Sequence, residues 1–352
     1  MSSTPSRRSR RILSGGLTAG LLATSLVAAP IAAQDAPDPM TCAGKNVAFA
    51  SVQPRGDQSV VDGTYDGLER TKAELGVANT TFVEALDPAA YEAVLTNLAA
   101  AGNNVVMGNF FGMTEPLKAV APQFPDVHFV HIYGDPTDPV IENLRTVSYN
   151  YYQAAYLAGI VAAAVSETGT IGFEAGMYLP GINADYWAFK AGAETVNPEI
   201  QVLAGEVGSF SDDVKAKEVV SAIISQGADV IFSDGPTVGA IDAAVEKGAF
   251  ILHGTPSLIA RSPEIVVGVP LVSFGESVFD ETTAACAEDW TGGHQASGLT
   301  DGAIGFYIAD EFRAAGDPAV VAKVDGVLEQ VEAARAGIIS GELEVPFVTD
   351  NP

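Results

Sequence analysis

Short apolar stretches of the kind that form buried β-strands alternate with amphipathic stretches of helical spacing along most of the chain. The first strand-like stretch is Asn46–Val52, and after a turn-rich loop apolar residues recur at Val61, Tyr65 and Leu68. This alternation predicts an α/β fold whose sheets are mostly parallel and covered by helices on both faces. In such a fold the loops after the strands face the ligand crevice, so the loop at residues 53–61 is an expected contact region.

The alternation restarts in the second half of the chain. Asn46–Phe49 resembles Thr170–Phe173 at an offset of 124 residues, and Ala101–Val106 resembles Gln226–Ile231 at an offset of 125 residues. Matches at nearly one spacing indicate two similar α/β lobes around one cleft. We expect residues 34–150 to form the first lobe with part of 255–295, and residues 151–254 the second lobe with part of 296–346.

The first 33 residues have the composition of a secretory signal peptide. Arg7, Arg8, Arg10 and Arg11 precede a mostly apolar run, and small residues end it near Ala33. We therefore expect cleavage near Ala33 and a periplasmic or extracellular protein. The segment that begins at Ser9 also loosely matches a twin-arginine signal, so the export route stays open.

The charge balance argues against nucleic acid as a partner. The chain has 18 basic and 44 acidic residues, and the signal segment holds 4 of the basic ones, so the mature net charge is 14 − 44 = −30. A surface this acidic repels phosphate backbones and anionic membranes.

Two cysteines and one apolar run bear on packing. In an oxidising compartment Cys42 and Cys286 could pair in a disulfide, or they could remain two separate thiols, because sequence does not measure their distance. The apolar run Ala154–Val165 is too short to cross a bilayer, and its small residues predict a helix packed on several sides.

Signals for catalysis are weak. The sequence has no nucleophile elbow, no phosphate-binding loop and no dinucleotide fingerprint after a strand. His128 and His131 lie three apart on a predicted strand and so point to opposite faces, which favours structural roles. The cysteine spacing is not that of a zinc site. We therefore predict a protein that is not an enzyme and that carries no metal and no cofactor.

Aromatic and small polar residues follow many of the predicted strands, and this pattern indicates a binding cleft. Aromatic faces there would suit a flat ring, although core packing is an alternative for each residue alone. The candidate ligand-binding residues are Asp57, Gln58, Asn109, Phe110, Phe111, Tyr133, Tyr178, Phe210, Asp234, Gly235 and Thr255.

Several short motifs occur in a specific order and spacing between about Asn46 and Pro346, namely Gly56–Ser59, Tyr65–Leu68, Phe124–Phe129, Tyr156–Gly159, Gly208–Phe210, Gly227–Phe232 and Ile339–Leu343. Together they resemble the basic membrane protein family of substrate-binding proteins, which includes purine nucleoside receptors of ABC importers. The resemblance implies two Rossmann-like lobes joined by a multi-crossing hinge, as in type I periplasmic binding proteins. The lobes would close over a ligand.

The chain departs from the family pattern where the ligand sugar is held. The family's Asp-x-Ser-Phe-Asn loop has Val60 and Val61 in place of Phe and Asn, its ribose-binding Asp falls near Thr255, and its Lys is missing around residues 270–272. The segment Phe111–Met113 is similar to that of adenine-binding relatives. A free nucleobase, or another small planar solute, is therefore as well supported as a nucleoside.

These observations predict a monomeric, exported solute-binding protein that serves an ABC permease in the membrane. One alternative is a ligand-sensing receptor of the same fold that hands its closed form to a membrane sensor. Another is a nucleoside-processing hydrolase, for which the sequence offers no evident nucleophile or base.

Overall fold

A computed structural model describes residues 42–56 and 60–352 of the chain. The predicted signal peptide and its cleavage site near Ala33 lie outside the described residues.

The first lobe is built on a six-stranded parallel sheet. Its strands have the order β11-β5-β4-β3-β1-β2, and every neighbouring pair runs parallel. Before the chain first leaves this sheet, its helices and strands are β1 (Asn46–Ser51), α1 (Val60–Glu74), β2 (Asn79–Glu84), α2 (Tyr91–Ala100), β3 (Val105–Asn109), α3 (Thr114–Val120), β4 (His128–Ile132) and β5 (Leu144–Tyr149). The strand β11 (Gly293–Ser297) joins this sheet later in the chain.

The second lobe holds a sheet with the order β12-β10-β9-β8-β6-β7, in which only β12 runs antiparallel among the described strands. Its elements are α4 (Tyr151–Val165), β6 (Thr170–Ala175), α5 (Pro180–Glu194), β7 (Gln201–Glu206), α6 (Asp213–Ser225), β8 (Val230–Asp234), α7 (Thr237–Lys247), β9 (Phe250–Leu252), α8 (Pro256–Arg261), β10 (Val266–Val272), β12 (Ile304–Ile308), α10 (Asp310–Ala315) and α11 (Pro318–Ser340). The helix α9 (Phe274–Ala285) lies between β10 and β11 in the chain.

The chain passes between the two sheets at three places, after β5, after β10 and after β11. These three segments are tied to one another by backbone hydrogen bonds. The Asn150 N–H donates to the Ser297 carbonyl at 2.7 Å, and the Ser273 N–H donates to the Ala303 carbonyl at 2.9 Å. The three crossings therefore form one hydrogen-bonded connection between the lobes.

Apolar side chains on both faces of each sheet form the core. In the first lobe Phe49 and Met107 pack on the face that carries α1 and α9, and Phe129 packs on the opposite face. In the second lobe α4 is buried along nearly its whole length between α5, α11 and the sheet. The prediction that Ala154–Val165 forms a helix packed on several sides is thus confirmed.

A disulfide joins the start of the described chain to the end of α9. The Sγ atoms of Cys42 and Cys286 are bonded, and their Cα atoms lie 5.3 Å apart. The bond links residues 244 positions apart in the sequence, and both cysteines belong to the apolar cluster of the first lobe.

The predicted α/β class with two mostly parallel sheets is confirmed. Within residues 42–56 and 60–352, no helix is long and apolar enough to span a membrane.

Candidate binding cleft

Five aromatic side chains gather at the carboxyl end of the first sheet. We call Phe110, Phe111, Tyr133, Tyr149 and Phe274 the aromatic wall. The Tyr133 ring lies 5.7 Å from Phe110, 5.6 Å from Phe111, 5.6 Å from Tyr149 and 6.2 Å from Phe274, measured between ring centroids. These distances are those of favourable aromatic pairs, so the wall holds its rings in fixed positions around Tyr133.

Two residues of the aromatic wall have unusual backbone conformations. Phe110 has φ of 60° and Tyr133 has φ of 63°, both in the left-handed region that side chains with a Cβ rarely adopt. The buried His131 imidazole bonds the Phe110 carbonyl through Nε2 at 2.8 Å, and the Phe110 N–H donates to the Ile132 carbonyl at 3.0 Å. Burial lowers the pKa of His131, so its ring is neutral at pH 7. Strain of this kind persists only where surrounding contacts impose it, and it is frequent at ligand sites.

Asn109 lies directly before the wall, at the end of β3, and its side chain is 2% exposed. Its Oδ1 accepts a hydrogen bond from the Val52 N–H at 3.0 Å. Its buried Nδ2 has no hydrogen-bond partner among the residues that the structure describes. A buried donor of this kind is costly unless a ligand or water completes it.

Two carboxyl groups of the second lobe are hydrogen-bonded to each other. Asp234 ends β8, and Asp185, which is 3% exposed, lies on α5. Burial raises the pKa of Asp185 well above its ordinary value, and the Asp234 charge raises it further. Burial also raises the pKa of Asp234, while the hydrogen bond from Asp185 opposes that rise. Two carboxyl groups buried beside each other therefore favour holding a proton between them over carrying two negative charges.

Ser233, which precedes Asp234 on β8, and Glu174, which lies beside Ser233 on β6, point to the face of the sheet opposite to that of Asp234. Ala175 pairs with Asp234 and Glu174 with Ser233, and side chains alternate between faces along a strand. On that opposite face the Ser233 hydroxyl donates to Glu174 Oε2 at 2.7 Å. Burial raises the pKa of Glu174 to about 8, and Asp234 adds to the rise. Glu174 is therefore a neutral acid at pH 7.

Tyr133 connects the two lobes electrostatically. Burial raises its pKa well above the ordinary value, and the next contributions come from the carboxyl groups of Asp185 and Asp234 in the other lobe. Tyr151, at the start of α4, is affected by the same two carboxyl groups and by Tyr133. Tyr133 of the aromatic wall and the carboxyl groups of Asp185 and Asp234 thus lie near enough for these charges to act on the Tyr133 hydroxyl.

The structure brings some predicted site residues together and leaves others in local contacts. Phe110, Phe111 and Tyr133 lie in the aromatic wall, and the Asp234 carboxyl group is near enough to Tyr133 to raise its pKa. Gly235 lies against the Glu174 carboxyl group, because a Cβ there would stand 2.3 Å from Oε1. Asp57 and Gln58 lie outside the described residues.

Three predicted residues have neighbours within the second lobe. The Phe210 ring is 40% exposed and covers Gly176, where a Cβ would stand 2.3 Å from Phe210 Cδ1. The Tyr178 N–H donates to Glu206 Oε1 at 2.8 Å. The Thr255 and Ser257 hydroxyls lie 3.1 Å apart.

Sequence reasoning missed several residues around Tyr133 and Asp234, namely Tyr149, Tyr151, Asp185 and Phe274. Asp185 could have been identified from the sequence, because it lies at helical spacing from Ile182 and Phe189 and beside Tyr186, on the buried face of α5. A carboxylate on such a face is rare and indicates a special role.

The residues that the structure describes do not indicate a metal site. In the described part of the chain, no group of three or more His, Cys, Asp or Glu side chains is arranged to hold a metal ion.

Two relatives whose names include a ligand align with part of this chain. A purine-binding protein of Brucella abortus is 27% identical over 226 residues, which cover 64% of each chain. A protein of Haloferax volcanii, provisionally named an ABC transporter glucose-binding protein, is 32% identical over 193 residues, 55% of this chain and 46% of that protein. This chain therefore spans less than two thirds of the length of either relative.

A solved structure and a family profile give the broader relationship. An ABC transporter solute-binding protein from Aeropyrum pernix K1 superposes with a TM-score of 0.72 at 24% identity, covering 86% of this chain and 94% of that one. This likeness supports the fold. The profile of the Bmp family, described as ABC transporter substrate-binding protein PnrA-like, matches residues 45–346, and the chain belongs to this family.

Proposed function

We propose that this protein is the exported solute-binding subunit of an ABC importer and that it binds a small planar solute, such as a purine base or a nucleoside, between its two lobes. It delivers this ligand to a permease in the membrane, and it acts as a monomer.

The observation that carries the proposal is the position of Tyr133. Its ring belongs to the aromatic wall of the first lobe. Its pKa is raised mainly by burial and next by the carboxyl groups of Asp185 and Asp234 in the second lobe. A flat ring placed between the lobes would stack on the wall and meet polar groups at its edge. Aromatic stacking of this kind is worth about 1–3 kcal/mol for a nucleobase.

Lobe closure would couple ligand binding to transport. Contacts from both lobes stabilise the closed form over the open one, because only the closed form makes both sets of contacts. Two members of the aromatic wall, Tyr149 and Phe274, lie next to crossing segments at Asn150 and Ser273, and their rings are 5.2 Å apart. Ligand contact with the wall would therefore act directly on the connection between the lobes.

The names of the relatives point to two ligand classes, purines and glucose. The aromatic wall favours the purine, since a planar ring gains from stacking on several faces. Glucose is nevertheless included among the ligands to be tested.

The test is a calorimetric titration of the mature protein with adenine, hypoxanthine, adenosine, inosine and glucose. We expect at least one purine base or nucleoside to bind with micromolar or tighter affinity and glucose not to bind. Binding of glucose alone, or of no member of the panel, would overturn the proposal. A matched titration of Tyr133→Ala checks the location of the site, because removal of that ring should weaken binding.

A further inference from the structure

One buried imidazole contacts the backbone beside both strained residues of the aromatic wall. His131 lies on β4, two positions before Tyr133, and it is 1% exposed. Its Nε2 lies 2.8 Å from the carbonyl oxygen of Phe110, which directly follows the neighbouring strand β3. A carbonyl oxygen only accepts hydrogen bonds, so Nε2 carries the hydrogen and donates it. The His131 side chain therefore joins β4 to the loop that begins at Phe110.

The backbone of Phe110 needs such a contact. Its φ of 60° is combined with a ψ of 167°, a region that essentially only glycine occupies, and this conformation persists only where the surroundings impose it. The Phe110 N–H is held by the Ile132 carbonyl at 3.0 Å. The Phe110 carbonyl accepts from His131 Nε2 and from the Met113 N–H, the latter at 3.0 Å. Because ψ sets the direction of the carbonyl, the bond from His131 holds Phe110 in its unusual ψ.

The same ring lies against the backbone after the second strained residue, Tyr133. Gly134 follows Tyr133, and a Cβ at Gly134 would stand 2.1 Å from His131 Nδ1 and 2.4 Å from Cγ. The Gly134 N–H donates to the Val147 carbonyl at 2.8 Å, so the peptide group after Tyr133 is held between β5 and the imidazole. Tyr133 itself has φ of 63°. One side chain thus supports the backbone at both strained positions.

These backbone contacts determine where the rings of the wall stand. The centroids of Phe110 and Tyr133 are 5.7 Å apart, and that of Phe274 lies 6.3 Å from Phe110. A surface that is fixed before binding avoids the loss of side-chain freedom that binding otherwise costs. His131 has almost no exposed surface, so its effect on a ligand would pass through the two aromatic residues.

We propose that His131 is a positioning residue of the cleft: its imidazole fixes the backbones of Phe110 and Tyr133, so that their rings form a rigid stacking surface before a ligand binds. The inference rests on the proposed function, because it explains how the aromatic wall of the same cleft is held. It gives a role in ligand binding to a side chain that the ligand does not touch.

Two amide substitutions test the hydrogen bond separately from the polarity of the side chain. The Nε2 atoms of Gln and His are both three bonds from Cβ, so His131→Gln keeps a donor for the Phe110 carbonyl. The amide nitrogen of His131→Asn is two bonds from Cβ, as Nδ1 of His is, and it falls short of that carbonyl. His294→Asn is the matched control, because the exposed His294 ring bonds the Thr146 hydroxyl at 2.8 Å on the edge strand of the same sheet.

The first measurement needs no ligand. Hydrogen exchange of peptides that contain Phe111–Met113 should be about tenfold faster in His131→Asn than in the wild type, as for the loss of one hydrogen bond that closes the loop. It should stay within about twofold of the wild type in His131→Gln and in His294→Asn. Unchanged exchange in His131→Asn, in protein whose thermal unfolding is still cooperative, would overturn the inference whether or not a purine binds.

The second measurement is the calorimetric affinity for adenine, hypoxanthine, adenosine and inosine. His131→Asn should bind the tightest of these about fivefold or more weakly than the wild type, and His131→Gln should bind it within about twofold. Equal weakening in both variants would show that the imidazole acts through its shape alone and would overturn the positioning role. If the wild type binds none of the four, the proposed function fails, and hydrogen exchange alone decides the role of His131.

Discussion

Gly159 of α4 lies directly against the backbone of Phe189 on α5: a Cβ at Gly159 would stand 2.0 Å from the Phe189 carbonyl oxygen. The contact is reciprocal, because a Cβ at Gly192 of α5 would stand 2.0 Å from the Tyr156 carbonyl oxygen. The two helices therefore touch through their backbones, and this approach places Asp185 of α5 beside the end of β8.

The first prediction concerns this helix contact. Gly159→Ala should destabilise the protein by about 1–3 kcal/mol, because backbone on both sides leaves little room for the extra methyl group. The measurement is the free energy of unfolding in urea.

Gly326→Ala on α11 is the matched control. Gly326 is exposed, and a Cβ there would meet nothing within 4 Å. The change should stabilise the protein by about 0.4–1 kcal/mol, since alanine is the better helix former. Equal effects of the two substitutions would contradict the proposed contact.

The elements with strong local patterns were predictable from sequence. The opening strand, the small-residue helix α4 and the restart of the pattern after it are all present in the structure. Their signals are local, since apolar runs and helical spacing report burial directly. The resemblance to the basic membrane protein family is also confirmed.

Other features depend on contacts between residues far apart in the sequence, and no local sequence pattern predicts them. The strand β11 has the sequence GHQAS and lies at the edge of its sheet with three exposed residues, so it lacks an apolar run. The aromatic wall joins Phe110 of one loop to Phe274, which is 164 positions later, and sequence gives no measure of that proximity. Asp185 meets Asp234 only because α5 packs close to α4 and the sheet.

The second prediction follows from the buried acid Glu174. Burial raises its pKa to about 8 from an ordinary value of 4.5. Between these values the unfolded chain has released the proton and the folded chain still holds it, so stability should fall as the pH rises through this window. The contribution has a slope of at most about 1.4 kcal/mol per pH unit. Glu174→Gln removes this contribution, and the free energy of unfolding should decline less steeply from pH 5 to 8.

The control for Glu174 is an exposed acid of the same lobe. Glu264→Gln should retain the wild-type slope, because its side chain is exposed. Parallel curves for Glu174→Gln and the wild type would show that the carboxyl group titrates normally.

The third prediction concerns the disulfide. The double variant Cys42→Ser with Cys286→Ser should lose about 2–4 kcal/mol of unfolding free energy, because the bond restricts the unfolded chain over a long loop. Chemical reduction of the wild type should lower its melting temperature to that of the variant. A reduced wild type that melts at the temperature of the oxidised protein would contradict a stabilising role.

The fourth prediction concerns Phe210, whose ring is part exposed above Gly176 at the carboxyl end of the second sheet. If that exposed face stacks on the ligand, Phe210→Ala should weaken binding by about 1–3 kcal/mol. Calorimetry with a purine that the wild type binds gives the affinity. Phe347→Ala is the matched control, since its ring is 60% exposed and packs on Tyr152, outside the aromatic wall. An unchanged affinity in Phe210→Ala would remove this residue from the site and leave the stacking to Phe110 and Tyr133.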